Sequence, residues 1–148
     1  MSARRALLGA AGAGLLLLHV RPALAVSTVS LEAAIRQWAQ GRPVRPGRVT
    51  LEVAPLVENG NAVPIAVRAD SPMSLADHVQ EICVFNEKNP QRDVVRFYFT
   101  PACGRAEAAT RIRLATSQQL VALARMADGS LWSHSVDVLV TLAACIES

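Results

Sequence analysis

The chain has 148 residues, 51% of them hydrophobic but only 4% aromatic, and a formal charge of +3. That length suits one domain whose core is filled by Val, Leu, Ile and Ala. Arg4, Arg5 and Arg21 fall in the first 25 residues, which hold no acid, and the remainder carries 12 basic and 12 acidic side chains. No cationic stripe with interleaved aromatics is left, so a nucleic-acid surface is not supported.

The opening segment, MSARRALLGAAGAGLLLL followed by RPALAV, pairs two arginines with a short apolar run and the small-x-small triplet Ala23-Leu24-Ala25. This is the pattern of a cleavable signal peptide over residues 1–25, and the arginine pair points to the twin-arginine route. Gly9, Gly12, Gly14 and His19 interrupt a run already short for spanning a bilayer, so no membrane anchor is expected after cleavage.

Residues 26–47 read as one helix and a linker. Ser30 is a helix cap, Glu32 suits the first turn, and Leu31, Ala34, Ile35 and Trp38 form one apolar stripe. Gly41 suits the position past the helix end, and GRPVRPGR has the composition of a linker. The stripe is expected to pack internally.

Residues 48–142 switch to a period of two. VTLEVAP puts Val49, Leu51 and Val53 on one face; Asn59-Gly60 signals a turn before Val63, Ile65 and Val67; Pro64 argues for an edge strand or a bulge. HVQEICVFN is the next strand, closed by the Asn86 to Pro90 turn. Then come Val95, Phe97 and Phe99; Thr110, Ile112 and Leu114, with Arg111 and Arg113 outward; QQLVALARMADG, ending at Asp128-Gly129; and Val136, Val138, Val140 and Leu142. About seven short strands at this spacing predict an immunoglobulin-like antiparallel β-sandwich with a short N-terminal helix. Residues 143–148 are left as a C-terminal arm.

Export implies an oxidising compartment, and the mature part holds three cysteines, Cys83, Cys103 and Cys145. An odd number leaves at least one thiol over. A Cys83–Cys103 disulfide is one pairing the sequence allows, although Cys83 also suits a small buried apolar position in mid-strand. His78, His134, Met73 and Met126 are not set at metal-ligand spacing, so no metal and no cofactor are expected. Ser133-His134-Ser135 reads as a solvated strand edge, there is no Gly-x-Ser-x-Gly, and enzyme activity is not expected. Cys145 stands beyond the last strand, where packing usually ends. An ordinary exposed thiol is only about 3% ionised at pH 7. A thiol so placed suits a carrier whose cargo is worked on by other proteins.

The runs PLVENGNAVPIAV, ICVFNEKNP, GRAEAATRIRLA and VTLAACIES, in that order over residues 49–145, resemble the SoxY sulfur-carrier family of the periplasmic thiosulfate-oxidising (Sox) system. The resemblance implies a periplasmic immunoglobulin-like sandwich, a heterodimer with a SoxZ-like subunit, and contacts with other Sox proteins. It also implies a cysteine on the C-terminal arm, here Cys145, to which sulfur is attached covalently for oxidation by partner enzymes. The family's arm reads Gly-Gly-Cys-Gly-Gly, whereas this chain has Ala143, Ala144, Cys145, Ile146 and Glu147. Only the cysteine is shared; the other residues add bulk, and Glu147 adds a charge that repels an anionic substrate. The alternative reading is a binding or assembly module that keeps the sandwich without the carrier chemistry.

Overall fold

Helix α1 spans Leu31–Ala39 in the computed structural model, which describes residues 29–144. The expected signal peptide over residues 1–25 and the end of the C-terminal arm, Cys145 to Ser148, lie outside that range. The Ser30 side chain accepts a hydrogen bond from Ala33 N at 3.2 Å, the cap its position called for. Gln40, at φ 54°, makes the left-handed turn that ends the helix, and Gly41 follows at φ 72°.

Among the described residues nine strands follow: β1 (Val44–Pro46), β2 (Val49–Glu52), β3 (Leu56–Val57), β4 (Val63–Ala69), β5 (Val79–Asn86), β6 (Asp93–Tyr98), β7 (Ala106–Ile112), β8 (Gln118–Met126) and β9 (Leu131–Val140). They form two sheets. One runs β1-β9-β8-β5-β6, with β3 also on β9; the other runs β2-β4-β7. The long pairs are antiparallel, as expected. The two strands that were not expected, β1 and β3, both lie parallel to β9, at Leu131–Ser133 and Leu139–Val140. Between them the chain crosses to the other sheet as β2. Part of the supposed linker is therefore a strand; three residues are too few to show alternation, and Pro46 is tolerated because β1 is an edge.

Pro64 needs a different account from the one its sequence suggests. It lies in β4, the middle strand of its sheet, opposite Arg111 of β7. Pairing with β2 stops at Ala66, so Pro64 has a neighbouring strand on one side only. It is an edge residue within a central strand.

The two sheets enclose a core that includes Val63, Val67, Ile82, Val84, Leu114, Leu120 and Val138. A second apolar layer lies on the opposite face of the first sheet. There α1 places Leu31, Trp38 and Ala39 over Cys83, Phe85, Val121, Leu123 and Leu131. The helical stripe thus packs internally. This double coverage explains why β5 and β8 lack a clean alternation: both of their faces are dry. A register shift between Val79 and Glu81 rotates β5, so that Val79 and Ile82 both face the inter-sheet core.

Candidate functional site at the base of the C-terminal arm

The structure separates the two cysteines that the sequence allows to pair. Both are free thiols. Cys83 is fully buried beneath α1, and burial pushes its thiol up to about 12. Cys103 is exposed in a 3₁₀ turn, Pro101–Cys103, where its sulfur accepts from Thr100 N at 3.5 Å. The disulfide is not formed because Cys83 points into the dry layer under the helix while Cys103 sits on a solvated turn. Cys145, the expected attachment site, lies outside the described residues.

The scattered histidines and methionines have structural partners. Met73 and Met126 are buried in the core. His134 Nδ1, on β9, accepts from Leu51 N of β2 at 3.0 Å and so joins the two sheets. His78 contacts Ser74 O. Among the described residues no group of three or more His, Cys, Asp or Glu could hold a metal ion.

A cavity of about 550 Å³ opens beside α1, lined by Trp38, Glu81, Arg92, Asp93, Arg96 and Arg125 among others. Its charges are mutually engaged. Glu81, buried, accepts from Trp38 Nε1 at 3.1 Å and lies 3.5 and 3.6 Å from Arg96 and Arg125. Arg125 also donates to Trp38 O and stacks 4.6 Å over the indole. Arg96 holds Asp93 at 3.2 Å, and Arg92 donates to the carbonyls of Val29, Glu87 and Asn89. This cluster fastens the helix to the sheet.

The arm's departure point is built differently, from main-chain groups. Gly60 N donates to Leu142 O at 2.8 Å, Leu114 N donates to Gly60 O at 2.8 Å, and Ala144 N donates to Leu114 O at 3.1 Å. The chain is therefore fixed as far as Ala144, which is buried, rather than being released at residue 143. Leu142, expected to face inward, is 62% exposed, because β9 ends at Val140 and the chain turns toward Gly60. Leu56 and Leu139, register partners, are also exposed beside it.

Gly60 is required for a reason that its Asn59-Gly60 dipeptide does not reveal. Its φ is not in the left-handed region; the constraint is close approach. A Cβ there would collide with Leu114 O and lie 2.9 Å from Ala144 N. Asn59 supplies the local turn, its Oδ1 accepting from Asn61 N at 2.9 Å.

The Asn86 to Pro90 turn braces the other side of Leu114. Asn86 is fully buried, donates to Gln91 O and Arg92 O, and accepts from Asn89 N at 2.9 Å. Asn89 then spans the residues on either side of Leu114. Its Nδ2 donates to Arg113 O at 2.8 Å, and its Oδ1 accepts from Ala115 N at 3.0 Å and Gln118 Nε2 at 2.8 Å. Gln119 N donates to the Glu87 carboxylate, which holds that acid below its usual range. Thus three separated runs, ENG, EKNP and RIRLA, meet at the Leu114 peptide. Sequence reading identified each run but not their meeting point. The available signal was the turn-forming residues Gly60, Asn86 and Asn89 in the two polar loops.

The fold agrees with the comparisons. No curated protein matches the chain. Among solved structures, the sulfur carrier protein SoxY from Chlorobium limicola f thiosulfatophilum is 24% identical with a TM-score of 0.64, covering 76% of this chain and 97% of that one. A superoxide reductase (neelaredoxin) variant from Ignicoccus hospitalis is 18% identical with a TM-score of 0.57, covering 70% and 90%. A putative superoxide reductase from Thermotoga maritima is 22% identical with a TM-score of 0.53, covering 62% and 84%. At these identities the likenesses establish a shared sandwich fold. The family model for sulfur oxidation protein SoxY matches residues 35–145, which include the strands and the clasp described above, and the chain therefore belongs to the SoxY family.

Proposed function

We propose that this protein is a periplasmic sulfur carrier that holds its cargo covalently on Cys145 and presents it to partner enzymes of sulfur oxidation, as a heterodimer with a SoxZ-like subunit. The observation that carries the reading is that the family match runs through to Cys145 itself, one residue beyond the anchored Ala144. Cys83 is a poor candidate because it is buried and holds its proton. Cys103 is exposed but stands on a turn between β6 and β7, away from the chain's end.

In the loading step the Cys145 thiol loses its proton to solvent and its sulfur bonds to the outer sulfur of thiosulfate. The two electrons released pass to an electron-accepting partner protein. Water then cleaves the bond to the sulfonate, leaving a persulfide on Cys145 and releasing hydrogen sulfate. The chain itself supplies the thiol and its placement, and the partners supply the catalysis. Intact-mass analysis of protein purified from its own periplasm is expected to show a reductant-sensitive mass increase that maps to the peptide containing Cys145. An unmodified Cys145 in cells oxidising thiosulfate would falsify this reading.

A second reading is favoured by the arm's composition. Ala143, Ala144, Ile146 and Glu147 stand where the family has glycine, and Ala144 is packed. On this reading the protein is a binding or assembly module without carrier chemistry. Cys145→Ser would then leave cellular sulfur oxidation unchanged, whereas the carrier reading requires its loss.

A further inference from the structure

We propose that Gly60 and Asn89 are positioning residues that fix the point from which Cys145 leaves the sandwich. This rests on the carrier reading only for its purpose; the positioning itself is a property of the fold. Gly60 contributes both main-chain groups to the base of the arm, accepting from Leu114 N and donating to Leu142 O. Leu114 O in turn holds Ala144 N. The Leu114 peptide is the shared seat, and its side chain is fully buried. Asn89 clamps that seat from outside through Arg113 O and Ala115 N. Neither residue carries a charge or reactive group, and neither can be replaced without disturbing the seat. A side chain at Gly60 collides with the Leu114 carbonyl, and truncation of Asn89 leaves Arg113 O and Ala115 N without this partner.

The physical consequence is a short tether. Consecutive Cα atoms lie about 3.8 Å apart, so the clasp at Ala144 shortens the free tether of any group carried beyond it. A confined thiol is offered to a docked partner at higher effective concentration than one on a longer free segment.

The test uses the mature full chain carrying Cys103→Ser, with a nitroxide label attached to Cys145. Buried Cys83 does not compete for the label. The parent spectrum is expected to contain a restricted component. Gly60→Ala is expected to convert it to a mobile one and to speed hydrogen exchange at the Ala144 amide about tenfold, the equivalent of about 1.4 kcal/mol. A label on Cys103 in a Cys145→Ser background is expected to report no change on Gly60→Ala. A fully mobile parent spectrum, or an unchanged one in folded Gly60→Ala protein, overturns the proposal. Should Gly60→Ala fail to fold, Asn89→Ala is read in its place, with partial restoration by Asn89→Asp, which keeps the acceptor for Ala115 N. Unchanged spectra in folded Asn89→Ala protein also overturn it. No sulfur cargo is present in this experiment, so a failure of the carrier reading, seen by mass, leaves these spectra as they are.

Discussion

Two regions of this molecule are held by opposite means. On the outer face of the first sheet, α1 is fastened by side chains: Trp38 and Leu31 over Cys83 and Phe85, and Glu81 between two arginines. At the base of the arm, the chain is fastened by main-chain hydrogen bonds among Gly60, Leu114, Leu142 and Ala144, with asparagine side chains as braces. Apolar burial is large and non-directional, so it tolerates small shifts. A main-chain clasp contributes less per bond but fixes position to within hydrogen-bond geometry. The first arrangement provides stability, and the second provides a defined exit for the arm.

Trp38→Ala should have the largest effect, since it opens a cavity and removes the indole donor to Glu81. The expected loss is about 3–5 kcal/mol in urea unfolding, with exchange at the Ala144 amide governed as before by the clasp. If Trp38→Ala frees Ala144 at conditions where the sheet stays folded, the two regions are not independent.

Next in size is Asn86→Ala. It leaves the carbonyls of Gln91 and Arg92 and the Asn89 N–H without this partner. A loss of about 1–3 kcal/mol is expected, accompanied by faster exchange around Leu114 and an unaltered Trp38 fluorescence environment. A change confined to the helix side would reverse the assignment of these regions.

The buried thiol gives a pH signature that belongs to the helix side alone. The folded state holds the Cys83 proton up to about 12, whereas its ordinary value is 9.0. The unfolded chain releases that proton first. Stability is therefore insensitive to this group below about pH 9 and falls between 9 and 12, by about 1.4 kcal/mol per pH unit. Cys83→Ala should lack that excess slope; equal slopes in the parent and the variant would show that the thiol is not held in its protonated form.

The smallest effect is expected for Arg68→Ala on the exposed face of the second sheet, where its ion pair with Glu52 is half solvated. Its removal should change stability by less than about 1 kcal/mol. A larger value would mark that face as more than a solvated surface.

How much of this was legible follows from how each region is held. The helix, its Ser30 cap and the internal packing of its stripe could be read because a period of 3.6 and a capping side chain are written locally. The main strands were legible from alternation, although Leu142 was assigned inward because the alternation was extended past the end of β9. β1 and β3 were missed because two or three residues carry no period. Pro64 was misplaced because a sequence cannot show that the pairing of β4 with β2 stops at Ala66. At the site, Gly60 and the Asn86 to Pro90 turn were noticed as turn chemistry; what they touch was not, since Gly60 meets residues 114, 142 and 144.

The sequence by itself determined the class of fold, the helix, the family resemblance and the presence of a cysteine beyond the last strand. Those features depend on local periodicity and on residue type. Only the tertiary structure decided that Cys83 is sealed under the helix, that Cys103 stands apart from it, and that the chain is held through Ala144. These outcomes depend on which face a strand turns and which distant backbone it meets, and both are fixed by packing between segments far apart in the chain.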